Sequence, residues 1–155
     1  MPPFEIENLK SLKQFEGREF HPTDWFVVTQ ERIQKFADAV EDRQWIHLDS
    51  QRAQRESPFG GTIAHGFLTL SLISYLVKQA VQIRSGVAMS VNYGLNKVRF
   101  PAPVRAGSSV RARVTLLSVK ESTELVDAIF LIHIDSQSAA KPCCIAELLV
   151  RLYPA

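Results

Sequence analysis

Asp42, His47 and Asp49 fall together in the stretch "DRQWIHLD". A carboxylate and an imidazole converging on one water can orient it, take a proton from it and return a proton elsewhere, which is general acid–base chemistry. On a continuous helix Asp42 and His47 would diverge. In an irregular segment through "RQWI" both side chains can face one small volume. The bland alternative is that Asp42 closes a helix or turn and His47 is partly buried in a loop.

A second stretch, "FGGTIAHG", leads straight into an apolar run. The first turn of a helix presents unpaired N–H groups and a partial positive charge. Gly66 has no side chain to obstruct a ligand approaching its amide, so an acyl oxygen placed there would be polarised as in an oxyanion hole. The structural alternative is that Gly60, Gly61 and Gly66 only permit a tight turn and close packing.

Other chemistries fit less well. No serine stands in a G-x-S-x-G elbow, and "GVAMSVNYG" has the wrong spacing for a phosphate loop. His47, Asp49 and His65 contain a His-x-Asp chelate, but no further ligand stands at a recognisable spacing, so no metal or cofactor is expected. His21 reads as a loop residue and His133 as a solvent-facing strand residue.

The elements that must position these groups follow from periodicity. Ile33, Phe36, Ala37 and Val40 recur at helical spacing behind a capping Thr29, giving an amphipathic helix over about 30–41. A short helix capped by Asp49 or Ser50 follows, and "PFGG" marks a loop. Residues 66–83 read as one long, mostly buried helix, in which Thr69, Ser71 and Ser74 either bond back to the helix or face something polar. Residues 1–28 read as irregular chain followed by a strand at "DWFVVT". From Val87 the period becomes two: Val110, Ala112, Val114 and Leu116, then Val126 to Ile134, then Cys144 to Leu152. One α+β domain over residues 1–155 is expected, its antiparallel sheet curved around the long helix. Such a sheet leaves an edge strand that a second copy could cover.

The chain has 155 residues, net charge +2, 46% hydrophobic and 22% charged residues, which excludes disorder and a nucleic-acid-binding face. "KVRFPAPVRAGSSVRAR" is a local basic run, either a solvated strand face or a patch for an anionic ligand. The N-terminus lacks the features of a signal peptide, and the longest uncharged apolar stretch is too short to cross a bilayer. With two adjacent cysteines, Cys143 and Cys144, there is no disulfide framework, and the cytoplasm is the expected compartment.

"EDRQWIHLD" followed by "PFGGTIAHGFLTLSLIS" resembles the MaoC-like dehydratases of the hotdog fold, a family that includes the (R)-specific enoyl-CoA hydratases; "QWIHLD" is most similar to its NodN-like branch. The resemblance continues through "NYGLNKVRFPAPVRAG" and covers about residues 17–152. It implies a hotdog fold, a homodimer with the active site near the subunit interface, and an acyl-CoA or acyl carrier protein thioester as substrate. By the same resemblance Asp42 and His47 are catalytic, Gly66 holds the thioester carbonyl, and Ser74 orients the pair. The reaction implied is hydration of a trans-2-enoyl thioester to the (R)-3-hydroxyacyl product, or its reverse.

One departure stands out. The better-defined hydratases carry Asn-Pro where this chain has Gln44 and Trp45, so the turn must be fixed by packing or side-chain bonding instead of backbone restriction. A thioesterase directing water at the carbonyl carbon, and a silent acyl-thioester-binding protein, are the alternatives. Arg99 and Arg105 are candidates for contacting the phosphates of CoA.

Overall fold

The computed structural model describes residues Met1–Ala155. In chain order the strands and α-helices are β1 (Phe4–Ile6), β2 (Phe26–Val27), α1 (Gln30–Val40), α2 (Trp45–Leu48), α3 (Ser50–Glu56), α4 (Gly66–Ser71), α5 (Ile73–Ala80), β3 (Val81–Ile83), β4 (Val87–Arg99), β5 (Ser109–Glu121), β6 (Val126–Ser136) and β7 (Cys144–Pro154). A 3-10 helix, Leu9–Phe15, lies between β1 and β2.

Five strands form an antiparallel sheet in the order β2-β5-β6-β7-β4. Period-two burial appears where the residue pattern demanded it. Val110, Ala112, Val114 and Leu116 face inward from β5, opposite Ala128, Phe130, Ile132 and Ile134 of β6 and Cys144, Ala146 and Leu148 of β7. The register sets Val114 beside Ile132 and Ile132 beside Ala146, so three strands contribute to one apolar layer. A register shift between Leu116 and Ser118 turns Leu117 outward and lets Val119 face the core again, as a bulge does. The outer face carries two cross-strand pairs, Arg113 with Asp135 and Arg151 with Asp127, each bound through two nitrogens. Arg151 holds the Asp127 carboxyl below its usual value.

The sheet curls over α4 and α5. Leu68, Ile73 and Leu76 enter the same hydrophobic cluster as the inward strand residues. Each such aliphatic side chain contributes about 1.5–3 kcal/mol on burial. Cys143 and Cys144 are both buried; the Cys143 thiol donates to the Ile134 carbonyl at 3.1 Å. Burial pushes the two thiols up to about 12 and about 11.

Two expectations need correction. The helix from Gly66 does not reach residue 83: it ends at Ala80, and Val81–Ile83 form a strand parallel to β1, pairing Ile6 with Ile83. β-branched Val81 and Ile83 suit that extended partner better than a last helical turn. The helix is also interrupted at Leu72, directly after two hydroxyls bond back to the preceding turn, Thr69 to the His65 carbonyl and Ser71 to the Phe67 carbonyl. Such back-bonds bend helices. The opening segment holds β1 and the 3-10 helix, whose Leu9 and Leu12 are buried; it is not irregular throughout. No helix is long and apolar enough to cross a membrane.

Candidate active site

Helix α1 starts under a Thr29 cap whose hydroxyl accepts from the Arg32 N–H. It stops because Glu41 takes a left-handed conformation, φ 61°, which turns the chain sharply and presents Asp42 at the surface. The Asp42 carboxylate accepts a long 3.4 Å bond from the Gln44 N–H, and α2 begins one residue later. Packing fixes this turn: the Arg52 guanidinium lies 4.2 Å from the Trp45 ring centre, and Arg52 is tied to Glu56. Asp49 caps α3 by accepting from the Arg52 N–H, so it is committed to structure.

The one-turn helix α2 is stitched to the strand-like segment at residues 62–64. Ile63 N–H donates to the Ile46 carbonyl, while Ala64 and Ala106 complete the other side through Val104 and Thr62. Gln30 bridges the same pieces: its amide donates to the His47 carbonyl and accepts from the Thr62 hydroxyl. His47 is only 6% exposed, and its Nδ1 lies 2.7 Å from the Ile63 carbonyl oxygen. A carbonyl can only accept, so Nδ1 carries the proton and Nε2 keeps its lone pair. Burial holds His47 below the usual imidazole value; the Ile63 bond opposes this, His65 adds to it and Asp42 opposes it.

His65 lies directly against the pair. Its ring stacks on His47 with centroids 3.8 Å apart and planes inclined by 26°. Its Nε2 donates to the Asp42 main-chain carbonyl at 2.9 Å, while its buried Nδ1 has no partner. One nitrogen from each ring and an Asp42 carboxylate oxygen lie within 4.8 Å of one another. A shared ion would have to lie in both ring planes, about 2.1 Å from each nitrogen. Rings stacked so nearly parallel do not aim their lone pairs at one point, so the cluster does not fit a metal without both rings turning.

Gly66 opens α4, and its amide makes no hydrogen bond within the protein. A Cβ there would sit 3.2 Å from the Phe100 ring, so the absence of a side chain lets Phe100 lie against the helix start. Ser74 is placed elsewhere: its hydroxyl accepts from Asn92 of β4 at 2.8 Å, and no hydrogen bond links it to Asp42 or His47 of the same chain. Arg105 donates to the Gly60 carbonyl and Arg99 to its neighbour's, while Arg113 pairs with Asp135, so the basic run is divided among separate tasks. Sequence reasoning missed Gln30 and the Ile63 carbonyl, which no spacing reveals, and gave His65 only a metal reading.

A helix held against a curled antiparallel sheet, with an Asp-His pair beside the helix start, defines a hotdog-fold protein. The chain matches the MaoC like domain over residues 12–135 and belongs to that family. It is 45% identical over 147 residues to the 3-hydroxyacyl-thioester dehydratase Z of Mycobacterium tuberculosis (strain ATCC 25618 / H37Rv), covering 94% of this chain and 96% of that one. It is 50% identical over 100 residues to nodulation protein N of Rhizobium leguminosarum bv. viciae, covering 64% of this chain and 62% of the relative. Among solved structures, the (R)-hydratase of A. caviae involved in PHA biosynthesis superposes with TM-score 0.69 at 25% identity, covering 87% of this chain and 94% of that one.

Proposed function

We propose that this chain hydrates trans-2-enoyl thioesters to (R)-3-hydroxyacyl thioesters, or runs the reverse dehydration. The observation that carries the reading is the protonation pattern of His47: Nδ1–H is held by Ile63 and Nε2 keeps its lone pair, on an imidazole that has a ring nitrogen within 4.8 Å of an Asp42 carboxylate oxygen. The names of the dehydratase and (R)-hydratase relatives support the reaction class and its stereochemistry.

In this reading a water is held between Asp42 and His47. His47 Nε2 takes one proton as the water oxygen bonds to C3, and the C2–C3 π electrons move toward the thioester carbonyl. The free Gly66 amide receives the developing enolate oxygen. The acquired proton then passes to C2, so water has added across the double bond and the protein is unchanged. A cavity of about 400 Å³ along α5, lined by Val77, Phe130, Leu148 and Val150 but also by Ser74, Lys78 and Asn92, shares no residue with the Asp42, His47 and Gly66 cluster. Arg99 is the cation of the basic run bonded only to its neighbour's carbonyl and is the better candidate for a CoA phosphate.

The working unit in this proposal is a homodimer joined along β4. This 13-residue edge strand exposes Met89, Val91, Tyr93 and Leu95, a long apolar edge of the kind that proteins cover. Phe100, which touches Gly66, follows β4 directly, and Ser74 is bonded to its Asn92. In this proposal Ser74 acts across that seam, since its hydrogen bond within the chain goes to Asn92.

The test follows crotonyl-CoA and longer trans-2-enoyl-CoAs by loss of enoyl absorbance and, separately, by release of free thiol. Enoyl loss without thiol is the expected result. Thiol release would identify a thioesterase, and neither signal would leave an acyl-thioester-binding protein.

A further inference from the structure

We infer that His65 is a positioning residue that holds both members of the pair at once: its ring face backs the His47 imidazole while its Nε2–H fixes the main-chain carbonyl of Asp42. The inference rests on the hydration reading for its meaning, though its physical content is separate from turnover.

Three observations converge. His65 is 97% buried by its 3% exposure, so its ring has one setting. On one face lies His47, centroid to centroid 3.8 Å, and Phe36 of α1 packs at 5.0 Å. At its edge, the 2.9 Å bond to the Asp42 carbonyl anchors the residue that follows the left-handed Glu41. One side chain thus joins the end of α1, the single turn of α2 and the start of α4, and the first two of these supply the reacting groups.

The orphaned Nδ1 adds a constraint on charge. A proton there would have no acceptor in the protein, and two cationic rings stacked at 3.8 Å would repel each other. The charged groups facing the two rings are few. Asp42 is the carboxylate that favours a protonated His47. Arg43, nearby in sequence, is engaged by Asp38 and Glu41.

The experiment compares His65→Gln, whose amide reaches the Nε2 position and keeps the donor, with His65→Phe, which keeps the aromatic face and loses the donor. His47 titration is read by NMR of its imidazole, independently of any activity, and turnover of crotonyl-CoA is read in parallel. In His65→Gln the His47 titration and the acid limb of kcat should both move to higher pH, because the His65 ring no longer covers one face of His47 and burial is what chiefly holds that imidazole down. In His65→Phe, kcat should fall about tenfold to a hundredfold with KM little changed, since a displaced Asp42 costs geometry and not substrate affinity. An unmoved His47 titration in well-folded His65→Gln, or parent turnover in well-folded His65→Phe, would overturn the inference. Loss of activity only in proportion to unfolded protein would overturn it too. A parent that never consumes enoyl thioester would instead defeat the hydration reading, leaving the NMR result to judge His65.

Discussion

The Nδ1–H of His47 and the carbonyl of Ile63 meet at 2.7 Å across 16 positions of sequence. That bond sets which nitrogen of a buried imidazole is available to accept a proton. The main chain of one segment therefore determines the chemistry of a side chain on another.

Asp42→Asn and His47→Gln should each lower turnover of enoyl-CoA by roughly two to four orders of magnitude, the usual worth of general acid–base catalysis. The double variant should cost far less than the product of the two losses, because either single change already disables the shared water. Steady-state kinetics on folded protein check this. Near-parent turnover in either single variant removes that residue from the mechanism.

Stability should fall on mild acidification. His47 is held below its ordinary value chiefly by burial, and His133 likewise by burial and by Arg113. The unfolded chain therefore takes up these protons first, so stability that is full above about pH 6.5 is lost as the pH drops toward the folded values. Tm should decline between pH 7 and pH 5.5, and His47→Gln and His133→Gln should each flatten the decline. A slope unchanged in both variants would show that other groups carry it.

Gly66→Ala should leave Tm within a few degrees of the parent yet lower kcat/KM by about tenfold or more. The new methyl meets the Phe100 ring at 3.2 Å, and that ring, 41% exposed, has room to swing. The swing and the methyl both crowd the amide proposed to receive the enolate oxygen. Unaltered kinetics would return Gly66 to a packing role.

Val91→Lys should convert the proposed dimer to a monomer. A lysine on an exposed edge strand opposes pairing with another edge. Light scattering should give about twice the 17.4 kDa chain mass for the parent and a single chain mass for the variant. A monomeric parent at micromolar concentration would end the dimer proposal.

The sheet was the most legible part of this molecule, since a face that alternates Val110, Ala112, Val114, Leu116 has one way to be buried. The junction at Val81 was not, because an apolar segment after a helix reads as more helix until the partner strand, Phe4–Ile6, is known. At the site, the spacing of Asp42 and His47 left a turn and a loop residue as the bland alternative, and the family resemblance is what singled the pair out. What holds them could not: Gln30, Ile63 and His65 act through carbonyls and a ring face, groups present at many positions and informative only once the chain has folded. Ser74 had a place in the pattern, but its partner here is Asn92, brought in by the sheet.

Cys143 and Cys144 are buried in the core, Cys144 within the inner layer of the sheet, with their thiols pushed up to about 12 and about 11. Alkylating and disulfide reagents react with thiolate, which neither residue offers near neutral pH. A chromogenic thiol reagent added to the native protein should stay colourless, so the assay that separates hydration from thioester cleavage runs without a background from the enzyme. Colour above the reagent blank then counts CoA molecules released from substrate, one for each thioester cut.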